Sequence, residues 1–227
     1  MTPRIDITFP EVLDRLDYPN RVTAAPVTID AVAWITSYFQ EMTGGVEYER
    51  FAQEELAKGS LNALSSENFS NIRNVSGRGW SGTDVEPLFG KAIPELERIP
   101  VAADVFKTKE FDRDVARAVH SLCQVKGIEI ANATKLLYQK RPRLIPILDS
   151  YARQALNLPW NDDYSFEGYR SVVAGALWNI RDIERRNSDE LKQLENWLNR
   201  ERQVTHGLKL SRLRIVDILA WGIIHQR

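Results

Sequence analysis

Between Phe111 and Leu158 two helical periods meet at a glycine, and two prolines then fix how the chain must leave them. Val115, Ala118, Val119 and Leu122 fall on one face of a helix expected over 111–124, and a second helix is expected over about 130–139. Gly127 lies in the short turn between them, so the apolar faces of the two helices must pack against each other. Pro142 and Pro146 cannot continue the second helix and force an extended connection. Asp149 follows directly, and an aspartate after an apolar run is a good N-cap for a helix expected through Leu156.

Helical periods also dominate the rest of the chain. Thr28-Ile29-Asp30 are placed to cap a helix running to about Met42 and stopped by Gly44-Gly45. Val46 to Lys58 reads as a further helix, ended by Gly59, and Ser65 or Ser66 as the cap of a short one reaching about Val75. Residues 76–82, Ser-Gly-Arg-Gly-Trp-Ser-Gly, are the strongest loop signal. Short helical pieces between Asp84 and Glu97 are broken by Pro87, Pro94 and Pro100. Three more helices are expected over Phe166–Arg186, Ser188–Gln203 and Ser211–His225, with Asn187 and Glu190 arranged as caps of the second. Strand signals are poor: residues 4–9 alternate weakly, and 144–148 is short and bounded by proline. The expected fold is mainly α, with a helical core over 84–165, an N-terminal helical part over 1–83, and C-terminal helices over 166–227 packing on the core. Trp34, Tyr38, Phe39, Trp178, Trp197 and Trp221 fall on apolar helical faces and are expected inside.

The chain has 227 residues, 43% hydrophobic and 27% charged, the profile of an ordinary globular protein with enough length for a sizeable core. No apolar run reaches the roughly 18 residues that would span a bilayer, so no membrane partner is expected. The N-terminus lacks a signal-peptide pattern. The single cysteine, Cys123, excludes a disulfide framework within the chain and reads as a small buried hydrophobe. A cytoplasmic, monomeric protein is the default expectation. His120, His206 and His225 are scattered and form no ligand motif, so no metal site is read. The net charge of −1 provides no global basic field, so any nucleic-acid contact must use a local patch.

Such a patch lies beside the hairpin: Lys126, Lys135, Lys140, Arg141 and Arg143, interrupted by Glu129. In the segment 125–137, Ile128 can plug the interface between the two helices, and Ala133 is small where they cross. The N-terminus of the second helix favours a phosphate, which is how a hairpin grips a DNA backbone without reading bases.

Together with the segment 141–158, Arg-Pro-Arg-Leu-Ile-Pro-Ile-Leu-Asp-Ser-Tyr-Ala-Arg-Gln-Ala-Leu-Asn-Leu, this region resembles the helix-hairpin-helix DNA glycosylase superfamily. The superfamily has a Gly-hydrophobic-Gly hairpin followed by an alanine, and an aspartate about 22 residues past the first glycine. Gly127, Ala133 and Asp149 match those positions. The resemblance covers roughly residues 110–160. It implies a helical bundle of the glycosylase type with extra N- and C-terminal helices, acting on double-stranded DNA. It implies Asp149 as the catalytic carboxylate. Lys126, Gly127, Glu129, Lys135, Lys140, Arg141 and Arg143 would lie against the backbone. No cofactor is implied beyond a monovalent cation that such hairpins bind through backbone carbonyls. More broadly, Lys135-Leu136-Leu137, the run Lys140 to Pro146, and Leu213-Arg214-Ile215-Val216-Asp217 with Trp221 resemble a family of small proteins of unknown function.

Two positions depart from the glycosylase pattern. Glu129 occupies the second hairpin glycine, where a carboxylate repels phosphate unless it turns away. Ala131 stands where bifunctional members carry a lysine, so the chain resembles the monofunctional ones. A lone aspartate suits that chemistry. Breaking an N-glycosidic bond develops positive charge on the sugar, which a carboxylate near C1′ stabilises while orienting water. The target base must leave the stack. The expected activity is removal of a damaged or hypermodified base, in repair or in defence against foreign DNA, leaving an abasic site. Tyr151 is a candidate wall of the base pocket, and Trp80 a candidate wedge or stacking residue. The plainer readings are that Asp149 only caps its helix and that both aromatics only pack. A non-catalytic hairpin module binding DNA or protein is the rival function.

Overall fold

The computed structural model describes residues 2–13, 24–58, 61–76, 85–158 and 163–225. Its elements run β1 (Asp6–Leu13), β2 (Ala24–Asp30), α1 (Ala31–Glu41), α2 (Thr43–Lys58), α3 (Ser66–Ser76), a 3₁₀ turn at Glu86–Leu88, α4 (Pro94–Arg98), α5 (Asp112–Cys123), α6 (Ile130–Tyr138), α7 (Ser150–Ala155), α8 (Phe166–Arg186), α9 (Ser188–Arg200) and α10 (Arg212–His225). The protein is mainly helical. Among the described residues no helix is long and apolar enough to cross a membrane. The Gly77–Gly82 loop and Trp80 lie outside the described residues.

The helices form where the apolar period places them. Asp30 caps α1 by accepting the N–H groups of Val32 and Ala33, both at 3.2 Å. Ser165 caps α8 by accepting from Gly168 N–H at 3.2 Å. α2 begins earlier than expected and takes Gly44 and Gly45 into its first turn. There the phenol of Tyr38 lies where a side chain at 45 would project, with a Cβ only 2.7 Å from its oxygen.

The two strands are a correction. β1 and β2 pair antiparallel, Asp6 opposite Asp30, with an irregularity between Phe9 and Val12 where Pro10 interrupts the ladder. Ile5, Ile7, Phe9 and Val12 turn inward, and β1 packs on α7, α8 and α9. Ala24-Ala25-Pro26 carries no strand signal of its own. It pairs because β1, buried on its inner face, offers an edge.

A continuous apolar core draws on the N-terminal, central and C-terminal parts alike, from Ile7 through Leu136 to Ile223. α5 packs along α8, and α5 and α6 form the hairpin. α10 lies between α1 and α7. Gly222 permits that approach: a Cβ there would overlap the Trp34 indole nitrogen, which donates to the Ile218 carbonyl at 3.0 Å. Two other expectations fail. Asn187 does not cap α9 through its side chain. Its amide instead accepts from Thr8 N–H and donates to Thr8 C=O, each at 2.9 Å, tying β1 to the α8–α9 corner. Trp178 is 60% exposed, because the opposite face of α8 meets α5.

Candidate functional site

The hairpin has the expected shape. Gly127 adopts φ +84°, a conformation that favours glycine, and Ile128 beside it is buried between the helices. Ala133 is fully buried at the crossing. Glu129 stands at the N-cap of α6 without capping it, its side chain outside the core and its carbonyl accepting from Asn132 and Ala133. Lys126, Gly127 and Glu129 form an exposed corner.

The basic patch does not form as expected. Lys140 is 0% exposed, its ammonium 2.5 Å from Glu55 Oε2 within a buried network of Asn68 and Gln139. Arg141 is 1% exposed. Its guanidinium donates to the carbonyls of Ile99, Leu61, Lys140 and Leu96 and to Asn62 Oδ1, closing loop and helix ends that lack partners of their own. Neither residue can reach a phosphate without unfolding its surroundings. Arg143 is half-exposed but paired with Asp104 at 2.6 Å. Lys135 is buried on the inward face of α6.

Asp149 and Lys135 line one cavity. The strap after Pro146 is held from two sides: Thr134 Oγ1 on α6 accepts from Leu148 N–H at 3.0 Å, and Asp217 Oδ2 on α10 accepts from Ile147 N–H at 3.3 Å. The next residue, Asp149, caps α7 by accepting from Ala152 N–H at 3.0 Å and remains half-exposed. Its carboxylate opens onto a cavity of about 70 Å³ shared with Lys135, Tyr38, Tyr48, Arg214, Asp217 and Trp221, with Met42 also in the lining. That volume holds about two waters.

The charges here are unequal in their surroundings. Burial works against the charge on Arg214, but Glu49 at 2.5 Å, with Tyr38, Tyr138 and Asp217, outweighs it and holds the guanidinium firmly protonated. The rings of Tyr38, Tyr48 and Tyr138 surround it at 5.6–5.9 Å. Burial lowers the pKa of Lys135, partly offset by Asp149. Burial pushes the Asp217 carboxyl up to about 8, against the pull of Arg214 and the Ile147 N–H and with the help of Asp149 and Glu49. Its Oδ1 is buried and has no hydrogen-bond partner among the described residues.

Beside the cavity, Tyr151 is 37% exposed and packs on His225 and Trp221, with ring centroids 4.7 and 5.9 Å apart. Trp34 extends the same cluster through Trp221 at 5.5 Å. Tyr151 therefore belongs to an aromatic surface beside the site, while the cavity's own aromatic walls are Tyr38, Tyr48 and Trp221. A wider groove of about 530 Å³ lies beyond Glu49 and Tyr138. Two of its cations are paired, Arg143 with Asp104 and Arg212 with Glu195 and Glu184, and volume alone does not make it the reactive site. Among the described residues no group of three or more His, Cys, Asp or Glu side chains is placed to hold a metal ion.

Arg214, Asp217, Tyr38 and Glu49 were not singled out as site residues from sequence. The available signal was two ionisable residues one turn apart inside the otherwise apolar run from Leu213 to Ile224.

The chain belongs to a family of unknown function, DUF6308, whose model matches residues 31–223. No curated protein matches it, and no solved structure does.

Proposed function

We propose that this member of the family is a DNA glycosylase, hydrolysing the N-glycosidic bond of a modified base with the Asp149 carboxylate as its reactive group. One observation carries the reading. A carboxylate 22 residues beyond the hairpin glycine (127 to 149), at the start of a helix, opens onto a cavity lined by charged and aromatic side chains. A backbone clamp alone needs no such cavity, which favours hydrolysis over the non-catalytic hairpin module. In this reading the exposed corner at Lys126 and Gly127 meets the DNA backbone, and the Tyr151–Trp221–His225 surface receives the flipped nucleotide. Asp149 stabilises positive charge developing at C1′ and takes a proton from the attacking water. Ala131 leaves the position of the lyase lysine empty, so the product is an abasic site.

The test is base release from a panel of duplexes with alkylated, oxidised, deaminated and hypermodified bases. Asp149→Asn preserves the N-cap bond and removes the charge. It is expected to abolish release while leaving DNA affinity within about twofold. Equal release by variant and parent, or an inert parent on every duplex at high protein concentration, overturns the proposal.

A further inference from the structure

We propose that Asp217 is the proton donor of this site, working opposite Asp149, and that the substrate class is therefore a neutral modified base, one that must be protonated to leave. The inference rests on the glycosylase reading and adds to it a second reactive group and a restriction on substrate.

Asp217 is 4% exposed, and its Oδ2 is fixed by Ile147 N–H. Its Oδ1 has no hydrogen-bond partner among the described residues, although the side chain lines the cavity. Buried polar atoms in folded proteins nearly always find a partner, and each exception needs a reason. Here the reason is a proton path: the cavity has room for a water that links Oδ1 to a base held beside it.

The groups facing Asp217 decide its protonation. On its own helix stands Arg214, but that guanidinium is already matched by Glu49 on α2 and bonded to Tyr38 of α1 at 3.0 Å. Glu49 and Asp149 both oppose a second negative charge. Tyr48 of α2 adds an uncharged phenol whose hydroxyl donates to the Lys135 carbonyl at 2.8 Å. Lys135 of α6 shares the cavity with Asp149. Burial dominates and raises the carboxyl to about 8, so at neutral pH it keeps its proton. Two carboxyls in unlike settings, one half-exposed on a helix N-terminus and one buried, divide acid from base work.

The step balances. The C1′–N bond breaks and its electron pair goes to the base nitrogen. The Asp217 Oδ1 proton passes through a water in the cavity of about 70 Å³ to the departing base, which is held on the aromatic surface beside it. Water adds to C1′, and its proton goes to Asp149. Transfer of that proton to Asp217 through solvent restores both groups. A base that already carries positive charge, such as 7-methylguanine, leaves without the donor. A neutral base such as uracil, hypoxanthine or 8-oxoguanine does not.

The experiment compares single-turnover release from duplexes carrying each of these bases across pH 6–10, for the parent and for Asp217→Asn, with melting curves to establish folding. The parent is expected to release at least one neutral base, at a rate that falls about tenfold per pH unit above 8. Its release of 7-methylguanine is expected to show no such fall. Asp217→Asn is expected to slow the neutral base 10²-fold or more and to change 7-methylguanine less than fivefold. Equal losses on both substrates, no loss on either, or a parent that releases only the cationic base overturns the inference while leaving the glycosylase reading intact. A parent that releases nothing overturns both. The pH profiles of the parent alone decide the matter should the variant fail to fold: a neutral-base rate with no fall above pH 8 overturns it.

Discussion

Asp217 accepts the backbone N–H of Ile147 at 3.3 Å, so the carboxyl that stays protonated in the core also holds the strap that delivers Asp149 two residues later. That arrangement has a consequence for stability as well as for reactivity. In the unfolded chain this aspartate loses its proton near the ordinary 3.8, whereas in the fold it keeps it up to about 8. Between those values the native state binds more protons than the unfolded state, so stability falls as pH rises, and the slope ends once both states are ionised. At pH 7 the difference is on the order of 4 kcal/mol, at 1.36 kcal/mol per unit. Asp217→Asn keeps the acceptor for Ile147 and carries no such penalty. Its melting temperature is expected to match the parent near pH 4 and to exceed it by a growing margin towards pH 8. A gap that stays constant from pH 4 to 8 would show that the carboxyl ionises normally in the fold.

The Lys140–Glu55 pair gives a second prediction. Both side chains are buried, 2.5 Å apart, with Asn68 donating to the same carboxylate oxygen at 3.2 Å. Removing one partner leaves an uncompensated charge in the core, typically a loss of about 3–5 kcal/mol. Lys140→Met is expected to lose that much in urea unfolding, and Glu55→Gln introduced beside it to recover most of the loss. A stable Lys140→Met protein with weakened DNA binding would place this lysine on the surface instead.

These two residues show where sequence reading reaches its limit. The hairpin, the strap and the cap at Asp149 were legible because apolar spacing, a turn glycine, two prolines and an N-cap aspartate each act over a few residues. Lys140 and Arg141 were misplaced because a charge in a sequence does not say which way it points. One faces an acidic partner 85 positions away, and the other gathers carbonyls from segments that only the fold brings together. Asp217 does not stand out in the sequence because α10 is apolar over most of its surface, and a carboxyl there acquires meaning only from the cavity it faces. β2 was invisible because its pairing is a property of β1.

The exposed hairpin corner sets the third prediction. Lys126 is exposed beside Gly127, whereas Arg143 is held by Asp104 next to the wider groove. Each phosphate contact contributes roughly 0.9 to the slope of log affinity against log salt. Lys126→Ala is expected to reduce that slope by about one in an anisotropy titration, and Arg143→Ala to leave it unchanged. The reverse result would move the DNA from the hairpin to the groove.

Lys135 raises the question of whether hydrolysis is the whole reaction. It lies one helical turn beyond Ala131, lines the same cavity as Asp149, and is buried on α6. An amine in that place can attack C1′ only when it is unprotonated. Burial lowers its pKa and so favours the free amine, but the Asp149 carboxylate pulls the other way and Thr134 holds that carboxylate's strap against α6. An ammonium beside a carboxylate is a counter-charge, not a nucleophile, and water remains the species that adds to the sugar. Borohydride added during base release at pH 7 is therefore expected to trap no protein–DNA adduct. Lys135→Met is expected to weaken release through loss of the counter-charge without changing the product from an abasic site. A trapped adduct that disappears in Lys135→Met would show instead that this lysine forms an imine with the sugar and that the enzyme also cleaves the strand.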